Sequence, residues 1–180
     1  MTKDTKSNPV VIIQTGLGNI EVELYPDKAP ITVANFLTYV DSVMYEGGRF
    51  HRTVTMDNQP NDDVKIEVIQ GGRAQGSGRG FPAIKLERTN LNGILHKDGV
   101  ISMARGGPDS ATSDFFICVG DQPSLDFGGA RNTDGQGFAA FGKVIYGMDV
   151  VRKIHVQPTG SARGGQSLNP PIKIINITRK

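Results

Sequence analysis

Few side chains in this 180-residue chain have the type and spacing that chemistry needs. The one cysteine, Cys118, sits inside the apolar run FFICV, where a thiol reads as a small core residue rather than a nucleophile. A lone cysteine also leaves no intrachain disulfide. His51, His96 and His155 are too scattered for zinc-ligand spacing, so no metal is expected. The glycine cluster QGGRAQGSGRG at 70–80 invites a phosphate-loop reading. It lacks a Gly-Lys-Ser/Thr ending and does not match a dinucleotide fingerprint, so no nucleotide is expected either. No Gly-x-Ser-x-Gly elbow is present, and the neighbouring Asp62 and Asp63 read as a solvated face rather than an acid/base pair. What remains is a set of unusual strings: FHRTV at 50–54, VIQGG at 68–72, GVISMARGGPDSATSDFFI at 99–117 and FGKVIYGMDVV at 141–151.

The elements that must carry these strings are short. Glycine (23) and proline (10) make about 18% of the chain, against a usual share of roughly 12%, which favours tight turns over long helices. Val10 to Gln14 and the alternating Ile20, Val22 and Leu24 predict a hairpin turned at Gly16 and Gly18. Pro30 opens an amphipathic helix with Val33, Phe36, Leu37, Val40 and Met44 on one stripe, ending near Gly47 and Gly48. Further strands are expected at Arg49 to Val54, Ile66 to Gln70, Ile84 to Glu87, Val100 to Ala104, Phe115 to Val119, Ala140 to Ile145 and Ile172 to Thr178. A short helix is expected at Met148 to Ile154. In the last strand the apolar phase changes between Ile174 and Ile175, which predicts a bulge. Two stretches fit neither strands nor minimal turns: TMDNQPNDDVK at 55–65 and DFGGARNTDGQG at 126–137. Such a pattern is mainly β and favours a closed antiparallel barrel or sandwich, with residues 1–9 as a flexible N-terminal arm and 10–180 as one domain.

Charge and composition exclude several roles. Lys+Arg (20) nearly balance Asp+Glu (18), so the electrostatic footprint of a nucleic-acid binder is missing. The start MTKDTKSNP is polar, and no apolar run of about 18 residues follows, so neither a leader nor a membrane span is expected. A cytoplasmic protein fits; a periplasmic or secreted one with its signal peptide already removed would read the same.

The four strings, in this order and with the opening hairpin and the helix at Pro30, resemble the cyclophilin-type peptidyl-prolyl cis-trans isomerases from about Val10 to Thr178. The resemblance implies a closed eight-stranded antiparallel β-barrel capped by two helices. It also implies rotation of X-Pro peptide bonds without a cofactor, in proline-containing peptides and unfolded proteins, by a monomer that assists folding. Arg52 matches the family's catalytic arginine. Val68, Phe116, Leu125 and Phe138 match its proline pocket, and Gln70, Gly76, Ala104, Arg105, Gly106 and Asp114 its peptide groove, with Ser124 at the rim. Strand alternation turns Phe116 to the opposite side from a core Phe115, and turns His51 away from Arg52. A noncatalytic proline-peptide-binding module using the same groove is the alternative.

Departures from the family pattern carry their own expectations. Glu67 stands where phenylalanine is usual, Arg105 where asparagine is, Asp114 replaces glutamine, Ser124 tryptophan or another large residue, and Phe138 histidine. Asp114 is expected close enough to Arg52 to pair with it. Without the tryptophan, cyclosporin is expected to bind weakly.

Overall fold

Alternation of buried and exposed residues builds the first hairpin. Strands β1 (Val10–Thr15) and β2 (Gly18–Leu24) pair antiparallel, with Val11, Ile13, Ile20, Val22 and Leu24 fully buried on one face. The computed structural model describes residues 6–180, so positions 1–5 of the expected N-terminal arm lie outside the described residues. Where the chain approaches β1 it is tied down: the Asn8 amide donates to Glu23, and the Pro9 carbonyl accepts from the Leu24 amide.

Helix α1 (Pro30–Asp41) follows, with proline in its first turn and no side-chain cap of its own. A distant carboxylate takes that role. Glu87 accepts from the Thr32 backbone amide at 2.6 Å and from the Thr32 hydroxyl at 2.7 Å, placing negative charge at the positive end of the helix. Glu87→Ala is therefore expected to cost about 1–2 kcal/mol, the usual loss on deleting a helix cap, read as a lower denaturant midpoint at unchanged m-value.

The remaining elements are β3 (Arg49–Val54), β4 (Val68–Gly72), the single-turn α2 (Thr89–Asn92), β5 (Val100–Met103), β6 (Phe115–Cys118), β7 (Ala140–Tyr146), α3 (Met148–His155), the two-residue β8 (Thr159–Gly160) and the long β9 (Ser167–Arg179). The pairing order is β1-β2-β7-β5-β6-β4-β3-β9, all antiparallel, and β9 returns to β1. Eight strands thus close a barrel, with β8 appended to β9. The expected barrel is present, with three helices rather than two because Thr89–Asn92 adds a turn.

The barrel interior is one aromatic-centred core. Phe36 from α1 meets Phe115 edge-on with centroids 5.8 Å apart and Phe141 at 5.2 Å; Tyr45 and Phe50 complete the ring around Phe115. A second apolar cluster lies on the outer face of β4 and β6: Val54, Ile66, Val68, Phe116, Cys118 and Leu125. The period of two splits neighbours between the two clusters. Phe115, Ile117 and Ile69 go inward, whereas Phe116, Cys118 and Val68 go outward. Cys118 is buried, and burial pushes its thiol well above the usual range, in keeping with a core residue.

Two local outcomes test the sequence pattern. The bulge expected near residue 175 is there: Gln14 pairs with Asn176 and Thr15 with Ile174, leaving Ile175 unpaired and half exposed. The strand expected at Ile84 to Glu87 is not. Only Ile84 bridges, to Ala111, and the Leu86 amide is taken by the Asp109 side chain, so loop partners satisfy this backbone and no ladder forms.

Candidate active site

Strands β3, β4 and β6, the start of the turn after β5 and the 126–137 loop line a cleft of about 250 Å³ on the outer face of the barrel. Its floor is the second apolar cluster. Phe116 lies edge-on to Phe138, with centroids 5.3 Å apart, and Leu125, Val68, Ile66 and Ala104 fill in around them. The Leu125 carbonyl holds the Phe138 amide at 3.0 Å, fixing these two pocket residues to each other.

Arg52 forms part of the wall. Its Nη1 donates to Gln70 Oε1 at 2.9 Å, and its Nε and Nη2 donate to Gln166 Oε1 at 2.9 and 2.7 Å. Gln166 is itself anchored through its Nε2, which donates to the Asn58 carbonyl at 3.0 Å. A guanidinium has five N–H donors, so this clamp leaves one on Nη1 and one on Nη2 for a ligand. Burial, then the charges of Arg131 and Arg163, lower the pKa of Arg52, yet an arginine so placed stays protonated.

Of the residues anticipated for the site, Arg52, Val68, Gln70, Ala104, Arg105, Phe116, Leu125 and Phe138 line this one cleft. Gly76 lies on the exposed loop after β4 and Gly106 on the exposed turn after β5. Ser124, in the turn Pro123–Leu125, contributes backbone: its carbonyl accepts from the Arg131 amide. Arg105 has no donor left for a ligand. Its five N–H groups go to the Gly106 and Gly137 carbonyls and both oxygens of Asp134, and its guanidinium carbon sits 5.0 Å over the Phe138 ring. It is a strut that ties the 126–137 loop to the pocket.

Asp114 does not pair with Arg52. Its carboxylate lies beside β4, in space that a Cβ on Gly72 would occupy, so glycine at 72 is required by this close approach. It comes within 3.8 Å of His51 Nε2. Burial, then Arg163, Arg49 and Arg52, push the His51 pKa down to about 4, so the ring is neutral near pH 7 and the contact is not an ion pair. Burial raises the Asp114 carboxyl, opposed by Arg163, Gln70, Arg49 and Arg73. His51 also corrects the alternation expectation. Phe50 pairs with Gly71 and Arg52 with Gln70, so His51 is the extra residue of a bulge, and strict alternation breaks between it and Arg52.

Glu67 likewise stays out of the cleft. Ile66 and Val68 both face it, and Glu67 between them points the other way, 3.5 Å from His155. The apolar side chain at this part of the cleft is thus Ile66. Residues that sequence reasoning missed are Ile66, Gln166, Arg131 and Asn132, together with His96 behind the floor. His96 stacks on Phe116, with Nδ1 2.7 Å from Asp126 and Nε2 2.9 Å from the Ser102 hydroxyl. This order of Ser, His and carboxylate is that of a hydrolytic triad, but Ser102 is wholly buried and reaches no substrate; the chain props Phe116 instead.

The described residues contain no cluster of three or more His, Cys, Asp or Glu side chains suited to a metal ion, and no helix long and apolar enough to cross a membrane. What the cleft presents is an apolar floor with a clamped guanidinium at its wall.

Comparison with known proteins places the whole barrel in a family. The family described as "Cyclophilin type peptidyl-prolyl cis-trans isomerase/CLD" matches residues 10–179. A peptidyl-prolyl cis-trans isomerase of Acinetobacter baylyi is 42% identical over 177 residues, covering 97% of this chain and 87% of the relative. Peptidyl-prolyl cis-trans isomerase B of Escherichia coli is 36% identical, covering 93% and 96%. A crystal structure of a Cryptosporidium parvum cyclophilin-type isomerase superposes with a TM-score of 0.76 at 24% identity, over 96% of this chain and 98% of that one, and so supports the fold. With a family match spanning the whole barrel and relatives of this identity along nearly its full length, the chain belongs to the cyclophilin-type peptidyl-prolyl cis-trans isomerases.

Proposed function

We propose that Arg52 carries the isomerisation in this cleft, by donating to the twisting X-Pro amide of a peptide whose proline ring rests on Phe116, Leu125 and Phe138. The observation behind this is the clamp: a guanidinium held by Gln70 and Gln166, with two donors unspent, beside an apolar floor. Amide resonance sets a barrier of ~18–20 kcal/mol, and it is lost as the bond twists and the nitrogen lone pair localises. A fixed donor aimed at that lone pair stabilises the twisted state over either planar form, with no proton transfer and no covalent intermediate. Acceleration by about 10⁵ needs on the order of 7 kcal/mol. One charged hydrogen bond gives roughly 1.5–3 kcal/mol, so seating the ring and holding the flanking backbone must supply the rest.

The substrates in this reading are proline-containing peptides and unfolded chains. A Cryptosporidium parvum isomerase of the same fold, TM-score 0.74 and 23% identical, was crystallised in the presence of the dipeptide Ala-Pro. The test is refolding of a protein whose slow phase is proline isomerisation. Catalytic amounts of this enzyme are expected to speed that phase, and an unchanged slow phase would overturn the reading. Cyclosporin is expected to inhibit weakly, because Ser124 offers neither an aromatic surface nor an indole donor. Nanomolar inhibition in a peptide assay would contradict this.

A further inference from the structure

We infer that the cleft holds a carboxylate subsite built from Arg131 and Asn132, which makes the enzyme prefer proline segments carrying aspartate or glutamate beside the proline. This rests on the peptide-binding reading above and adds its specificity. Both residues come from the 126–137 loop, and both line the same cleft as Arg52.

Arg131 is fixed before any ligand arrives. Its Nη1 donates to Gln59 Oε1 at 3.0 Å and to the Val64 carbonyl at 2.8 Å, with Asp62 at 3.6 Å. Gln59 is itself buried and bonded to the Thr55 and Ile66 backbone, so the 55–65 loop serves as a bracket for this guanidinium. The Arg131 side chain is only 14% exposed, and its Nε and Nη2 donors have no acceptor among the described residues. Beside it, Asn132 Nδ2 is a buried donor with no partner among the described residues. A buried donor left unpaired is costly, and a cleft that sets it beside guanidinium N–H groups with no protein acceptor is suited to an acceptor from outside.

Charge points to which acceptor. Among the described residues, no carboxylate lines the cleft. Arg105 is neutralised by Asp134, whereas Arg52 has no ion-pair partner among the described residues and Arg131 has only the half-exposed Asp62. Two guanidiniums therefore face the cleft with their charge largely uncompensated, and a side-chain carboxylate on the substrate answers both the charge and the open donors.

The test is a set of peptides with Glu, Gln, Ala or Lys at each position flanking Ala-Pro, read as kcat/KM by cis-trans exchange. At one flanking position Glu is expected to exceed Gln by about tenfold at low ionic strength, with Lys below both, and the gap should shrink as salt rises. The Glu:Gln ratio should fall toward one in Arg131→Gln and be partly kept in Arg131→Lys. Asn132→Ala, which leaves the Gln59 bracket intact, should lower it as well. Equal rates for Glu and Gln in the wild type, or a ratio that survives both Arg131→Gln and Asn132→Ala, would overturn the subsite. Turnover of the Ala and Gln peptides reports separately on the isomerase reading, so an active enzyme with a flat ratio refutes only the subsite.

Discussion

Arg52→Ala is expected to lower kcat/KM for an Ala-Pro peptide by about 10²–10³, the usual loss when a preorganised donor to a transition state is removed. The fold should persist. Arg52 contacts the protein through two glutamine side chains rather than through the core, and Gln166 keeps its own anchor on Asn58. Arg52→Lys is expected to restore little. Lysine keeps the charge but not the fork that spans Gln70 and Gln166, so its ammonium has no fixed direction. Steady-state assays with thermal melts on the same samples check both halves: a large activity loss beside a melting point shifted by a few degrees at most.

Phe115→Ala is expected to have the largest effect on stability. Phe115 is fully buried and meets Phe36, Tyr45 and Phe50 edge-on at 5.7–5.8 Å, so it lies where α1 packs into the barrel. Truncating a buried phenylalanine costs about 3–5 kcal/mol, a large share of the 5–15 kcal/mol that typically holds a domain together. Its neighbour in sequence behaves differently. Phe116 belongs to the cleft floor, so Phe116→Ala should reduce turnover strongly while sparing the interior aromatic core. Denaturant melts and peptide kinetics on both variants test this division; comparable unfolding free energies for the two would contradict it.

That division was legible in the sequence, because a period of two is a property of the strand itself and FFI carries it unbroken. The β9 bulge was legible for the same reason: the apolar phase slips once, between Ile174 and Ile175, and the ladder slips there. His51 was not, since the β3 bulge leaves no mark in FHRTV; it arises where two residues of β3 oppose one step of β4. Ile84 to Glu87 has a strand-like pattern because Ile84 and Leu86 bury against the core, yet their backbone partners are a lone bridge and the Asp109 side chain. Burial periodicity reports which side chains are inside and not where the backbone hydrogen bonds go.

At the site, eight of the residues named from the family resemblance line one cleft, and their supports were not foreseen. Gln166 lies 114 residues from Arg52 in sequence, in no motif, and only barrel closure through β9 brings it to the guanidinium. Arg131 and Gln59 sit in the two long loops, whose mutual bracing has no periodic signature. Asp114 was expected on Arg52 from charge alone, but the space left by Gly72 directs it elsewhere.

The central claim is that the clamped Arg52 acts on the twisted amide more than on bound substrate. Its most direct test is two-dimensional NMR exchange on an Ala-Pro peptide in the presence of wild type and Arg52→Ala, measuring affinity and the cis-trans rate within the complex on one sample. The expected result is a dissociation constant changed by a few-fold at most, with on-enzyme exchange slowed by about 10² or more. An on-enzyme exchange rate unchanged by the substitution, with any loss confined to affinity, would contradict the claim.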